Sequence, residues 1–129
     1  MKLLLDTQCF LWWFAEPERL SEKAIAHITD EHNELWLSVA SIWEVGIKVA
    51  LGKLPLPESV ERYIPSRMAQ LGAKSLEIRA AHAMRAAALP MHHRDPFDRM
   101  LVAQAQVDDM TIVSADTMLT QYDVSIFSL

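Results

Sequence analysis

The amino-acid sequence predicts an α/β fold with a parallel sheet covered by helices on both faces. Three observations carry that expectation. Short apolar runs recur along the chain, and stretches with helical periodicity separate them. A chain of 129 residues, 51% hydrophobic and 22% charged, also has the size and composition of one ordinary globular domain, so residues 1–129 are expected to form a single domain.

The strands come first. "KLLLD" is a short apolar run ending in an acid, and "LWLS", "AKSLEI", "TIVSA" and "SIF" are further candidates. Between them, "TQCFLWWFA" reads as a helix that stops before Glu16-Pro17, and Ser21 caps "EKAIAHITD". Ser38 opens "VASIWEVGIKVAL", which ends at Gly52; "SVERYIPSRMAQL" is helical with a break expected near Pro65. "RAAHAMRAAAL" ends at Pro90, and Asp95 opens "PFDRMLVAQAQV". No repeat, low-complexity tract or linker divides the chain.

Composition narrows the function. A single cysteine, Cys9, supplies neither a disulfide framework nor a thiolate cluster for zinc, and fits the reducing cytoplasm. The opening "MKLLLDTQCFLWWF" imitates a signal peptide, but Asp6 and Gln8 interrupt it and no small-residue cleavage site follows. No run of 18 apolar residues is available to span a membrane. The formal charge of −5 argues against a broad basic surface for nucleic acid.

Four acids stand where acids are costly. Asp6 and Asp116 each follow an apolar run, so each emerges at the carboxyl end of a strand, the edge where ligand sites form in parallel sheets. Capping of the next helix is the competing explanation for both. Glu44 shares a helical stripe with Ala40, Trp43, Ile47 and Leu51, a stripe expected to face the core, and Lys48 lies one turn on. Asp98 heads the stripe of Leu101, Val102 and Ala105. In "HHRDPFDRM", Asp95 suits the N-cap, with Pro96 at the first helical position and Asp98 placed to return a hydrogen bond to the cap. Asp98 is therefore the better site candidate, with Asp95 near enough to assist.

Four carboxylates gathered in a dry pocket would repel one another and require a counter-charge. All-oxygen ligation favours Mg²⁺ or Mn²⁺ over zinc. Such ions activate water and stabilise the attacking and leaving oxygens of a phosphodiester, so hydrolysis of a nucleic-acid backbone is the natural reaction class. Without these four acids the formal charge of −5 becomes −1, and Lys48, Lys53, Arg94 and Arg99 are then candidates to guide a strand.

"LLLDT", "SVASIWEVGIK", "HRDPFDRMLVAQA" and "IVSAD" together resemble the PIN-domain ribonucleases, specifically the VapC-type toxins of toxin–antitoxin systems, over nearly the whole chain. The resemblance implies a three-layer α/β/α sandwich with four to five parallel strands. It places the metal-binding acids at Asp6, Glu44, Asp98 and Asp116, with Thr7 and Ser114 as nearby hydroxyl residues. In this scheme Asp6 is the central ligand, Glu44 and Asp98 complete the set, and Asp116 binds a second ion or holds a water. The resemblance further implies a Mg²⁺- or Mn²⁺-dependent endoribonuclease acting on tRNA or rRNA and thereby inhibiting translation. It also implies a homodimer with a cognate VapB-type antitoxin.

Other residues receive plainer readings. Of Phe10, Trp12, Trp13 and Phe14, about two suit the core, and the others are candidates for an antitoxin or subunit contact. His92 and His93 are assigned a loop or RNA-contact role rather than a metal, since the acids already suit a hard ion. A phospho-accepting receiver domain is disfavoured because Asp6 stands alone and no lysine follows Lys74. The alternative from another class is a non-catalytic, metal-stabilised protein-binding module.

Overall fold

A computed structural model describes residues Met1–Leu129. In chain order the elements are β1 (Lys2–Leu5), α1 (Thr7–Ala15), α2 (Glu22–Thr29), β2 (Glu34–Ser38), α3 (Val39–Ala50), α4 (Val60–Leu71), β3 (Ala73–Leu76), α5 (Ala80–Ala88), α6 (Pro96–Asp108), β4 (Thr111–Ser114) and β5 (Ser125–Ser128). Two short 3₁₀ turns, Pro17–Arg19 and Thr117–Gln121, were not anticipated from the sequence. All strand pairs are parallel, in the order β3-β2-β1-β4-β5. The result is the expected three-layer sandwich.

The central strand shows why "KLLLD" lacks alternation. Leu3, Leu4 and Leu5 are fully buried because both faces of β1 are covered. Leu4 and Ile112 join Leu101, Val102 and Leu119 in the core under α5 and α6. Leu3 and Leu5 face the other way, with Cys9, Ile28, Leu35 and Val113. Beside them Phe10, Leu37, Val45, Tyr63 and Ile64 fill the space under α1, α3 and α4.

Three expectations need correction. The helix α4 runs through Pro65 without a break. Pro65 and Glu61, whose carbonyl loses its helical partner, are both exposed, so water satisfies the freed oxygen. On α3 the buried residues are Ala40, Ser41 and Val45, whereas Trp43 and Leu51 are 66% and 62% exposed. Periodicity found a helix with two comparably apolar stripes, and packing chose the one without Glu44. Finally, Trp12, Trp13 and Phe14 are all partly buried against the core, so α1 presents no exposed aromatic patch.

Candidate active site

Strand order reverses at β1, which has β2 on one side and β4 on the other. The crossovers diverge there and leave a crevice beyond the carboxyl ends of β1 and β4. Asp6 follows β1 directly, and its backbone N–H donates to Val113 O at 3.1 Å, tying the two strand ends together. Asp116 follows β4 two residues after Ser114.

Each strand-end aspartate divides its two oxygens between two duties. Asp6 Oδ1 accepts from the Cys9 N–H at 2.7 Å and caps α1, while Oδ2 accepts from Ser114 Oγ at 2.5 Å. Asp116 Oδ1 accepts from the Met118 N–H at 2.9 Å, while Oδ2 lies 2.8 Å from His93 Nε2. Capping and site placement, competing explanations in the sequence, coexist in the structure.

Glu44 reaches the crevice from the second turn of α3. Its Oε1 accepts from Thr7 Oγ1 at 2.6 Å, and its Oε2 lies 3.3 Å from Lys48 Nζ. Asp98 comes from the first turn of α6. Asp95 caps that helix, with Oδ1 accepting from the Phe97 N–H at 2.9 Å and the Asp98 N–H at 3.5 Å. The reciprocal bond to the Asp95 N–H is made by His93 Nδ1 at 3.0 Å and not by Asp98. Asp98 is thereby free of capping, and its Oδ2 sits 3.1 Å from His93 Nε2.

All four acids line one open cleft of about 340 Å³, with Thr7, Lys48 and Asp95 on its walls. Ser114 lies buried beneath it. An adjoining groove is lined by Ile47, Leu51, Phe97 and three of the four proposed guiding cations, Lys48, Lys53 and Arg94. Arg99 is absent from both. Its guanidinium donates to the carbonyls of Ala86, Leu89, Pro90 and His93 and to Tyr122 Oη, holding the loop before α6. His92 is exposed and packs edge-on against Tyr122.

His93 is the site residue that sequence reasoning underrated. It approaches Asp98 and Asp116 together, and those three groups offer ligand atoms within 4.8 Å of one another. Its place two residues before a helix cap was the available signal, because a histidine there can accept the cap's N–H and turn its other nitrogen inward.

The electrostatics record crowding without enough counter-charge. Burial lifts the Asp6 carboxyl from the ordinary 3.8 to about 6; bonds from Ser114 and Cys9 oppose the rise, and Glu44 and Asp116 add to it. Burial likewise lifts Asp98 to about 7, with Asp95 next in effect, His93 opposing, and Glu44 and Asp116 adding. Burial also raises the Cys9 thiol, which packs as a small apolar group. A donor set of four carboxylates, two of them reluctant to ionise beside the others, suits a hard divalent cation.

Comparison with known proteins bears on the family and the fold. Residues 3–125 match the family model described as PIN domain. A 57-residue stretch, 44% of this chain, is 44% identical to Ribonuclease VapC16 of Mycobacterium tuberculosis, and the alignment spans only 40% of that protein's length. Among solved structures, VapBC2 from Rickettsia felis bound to a promoter DNA fragment aligns with a TM-score of 0.74 at 11% identity, covering 99% of this chain and 98% of that one. FitAcB from Neisseria gonorrhoeae aligns with a TM-score of 0.64 at 23% identity, covering 97% and 96%. With acids at the switch point of a five-stranded parallel sheet and a family match over nearly its full length, this chain belongs to the PIN domain family.

Proposed function

We propose that this chain is a divalent-cation-dependent endoribonuclease, working as one PIN domain over residues 1–129 and using Mg²⁺ with Mn²⁺ as a substitute. The observation that carries this reading is the convergence of Asp6, Glu44, Asp98 and Asp116 from four separate segments onto one open cleft. The 57-residue stretch that is 44% identical to a mycobacterial ribonuclease supports it.

Asp6, Glu44 and Asp98 hold the cation, and Asp116 completes the set. A divalent cation at these carboxylates supplies charge neutralisation at the phosphate and acidification of water. The protein's own part is preorganisation. Ser114 and the Cys9 N–H fix Asp6, Thr7 and Lys48 fix Glu44, and the Met118 N–H and His93 Nε2 fix the two oxygens of Asp116. Lys48, Lys53 and Arg94 in the adjoining groove hold the RNA strand by its phosphates, which keeps substrate near an otherwise acidic cleft.

In the same reading the chain is a cytoplasmic toxin, a homodimer silenced by a VapB-type antitoxin, and it cuts tRNA or rRNA to inhibit translation. The fold of the VapBC complexes supports this assignment.

The test is incubation of purified, partner-free protein with a mixed cellular RNA pool in Mg²⁺, in Mn²⁺ or in chelator, beside Asp98→Asn. Discrete cuts that need the metal and vanish in the variant are expected. Metal-dependent stabilisation with no cleavage of any RNA would overturn the nuclease reading in favour of a metal-stabilised binding module.

A further inference from the structure

We propose that His93 is a positioning residue of this site, holding Asp98 and Asp116 together through its Nε2–H without itself ligating the cation. The inference rests on the nuclease reading and deepens it. Its basis is the direction of two hydrogen bonds. The backbone N–H of Asp95 points at His93 Nδ1 at 3.0 Å, and a backbone N–H can only donate. Nδ1 must therefore accept, which leaves the ring proton on Nε2.

That proton is donated to Asp116. Nε2 lies 2.8 Å from Asp116 Oδ2 in a hydrogen bond and 3.1 Å from Asp98 Oδ2 in a close electrostatic contact, so the positive end of one N–H stands between two carboxylates that would otherwise repel each other. By distance alone His93, Asp98 and Asp116 form a plausible ligand triad. The tautomer argues otherwise. A ligating histidine coordinates through a bare nitrogen and donates its other N–H to a neighbour, whereas here the nitrogen facing the acids carries the proton and the other faces a donor.

The ring is held from behind as firmly as from the front. The His93 N–H donates to Tyr122 Oη at 3.0 Å, and that hydroxyl donates onward to Pro90 O at 2.9 Å. Arg99 grips the same loop through the Pro90 and His93 carbonyls. Replacing the ring removes the acceptor of the Asp95 N–H but leaves these backbone ties of the loop in place.

The experiment uses the full chain labelled with ¹⁵N-histidine at one fixed pH, with Mg²⁺ as the probe. Long-range ¹H–¹⁵N spectra should show Nε2 protonated and Nδ1 bare, both without Mg²⁺ and at saturation. By calorimetry, His93→Leu should bind Mg²⁺ roughly 10–100-fold more weakly, the range seen when outer partners of metal ligands are removed. His93→Gln, whose amide N–H reaches a similar point, should recover most of that affinity. Melting curves for both variants verify folding. Migration of the ring proton to Nδ1 as Mg²⁺ binds would make His93 a ligand and overturn the proposal, as would wild-type affinity in His93→Leu. Wild-type protein that binds no Mg²⁺ and cuts no RNA would overturn the nuclease reading together with this one, a pattern distinct from failure of the His93 role alone.

Discussion

Ser114 and Asp6, 108 positions apart, share a 2.5 Å hydrogen bond in which the serine Oγ donates to Asp6 Oδ2. The same Oγ accepts the Asp116 N–H at 3.0 Å, so one hydroxyl sets the spacing of both strand-end acids. Ser114→Ala leaves a buried carboxylate oxygen without its donor. The expected cost is about 1–3 kcal/mol at pH 8, with weaker Mg²⁺ binding, and Ser114→Thr should restore much of both. Denaturant melts and Mg²⁺ calorimetry on the two variants check this.

Metal-free stability should fall as pH rises. The folded carboxyls of Asp6 and Asp98 titrate near 6 and 7, above the ordinary 3.8, so the folded state holds protons that the unfolded chain has already released. Their contribution is complete below about pH 4 and is lost as pH climbs through 6 and 7. Asp108 runs the opposite way: its bond from Arg79, chiefly, lowers its pKa, so its contribution is present above the ordinary carboxylate value and disappears in acid. The midpoint temperature should therefore drop by roughly 10 °C between pH 5 and pH 8, a figure reduced for the partial exposure of Asp98. Excess Mg²⁺ should flatten or invert the slope, because it binds the ionised acids. Thermal melts across that range with and without Mg²⁺ decide the matter, and a metal-free midpoint rising toward pH 8 would contradict it.

Asp98→Asn should make the metal-free protein more stable while disabling it. Removing one charge from the cluster relieves repulsion worth about 1 kcal/mol at pH 8. The stabilisation that Mg²⁺ gives the wild type should shrink to near zero, and RNA cleavage with it. Paired melts and a cleavage assay test both halves.

Arg99→Lys should damage the site from outside the cleft. Five acceptors depend on its guanidinium, and an ammonium has only three donors with no planar fork. A loss of about 2–3 kcal/mol is expected, together with faster amide exchange across residues 91–94. Mass-spectrometric hydrogen exchange locates the loosening, and unchanged exchange there would remove Arg99 from its assigned role.

What could be read from the chain divides along physical lines. The parallel sheet was legible because buried strands are continuous apolar runs, and Asp6 and Asp116 were legible because an acid after such a run marks its carboxyl end. Asp98 was found by the stripe of Leu101, Val102 and Ala105, all of which are buried. Glu44 was singled out for a stripe of which only Ala40 is buried, and it lines the cleft because α3 packs mainly through Ser41 and Val45. His93 was given only a loop or RNA-contact role because direction within a loop is set by partners, here Tyr122 and the Asp95 N–H, which local spacing cannot reveal. Arg99 was misplaced for the same reason, since a charge in sequence does not say which acceptors surround it.

The bond between Ser114 and Asp6 also fixes when the cleft can come into being during synthesis. β1 is made first but is completed as a central strand only when β4 arrives to pair along its free edge. Until Ser114 and Asp116 have been translated and folded back, Asp6 has neither its hydroxyl donor nor its neighbour. A nascent chain that stops short of Ser114 therefore holds only an incomplete cleft, however far its earlier elements have already folded.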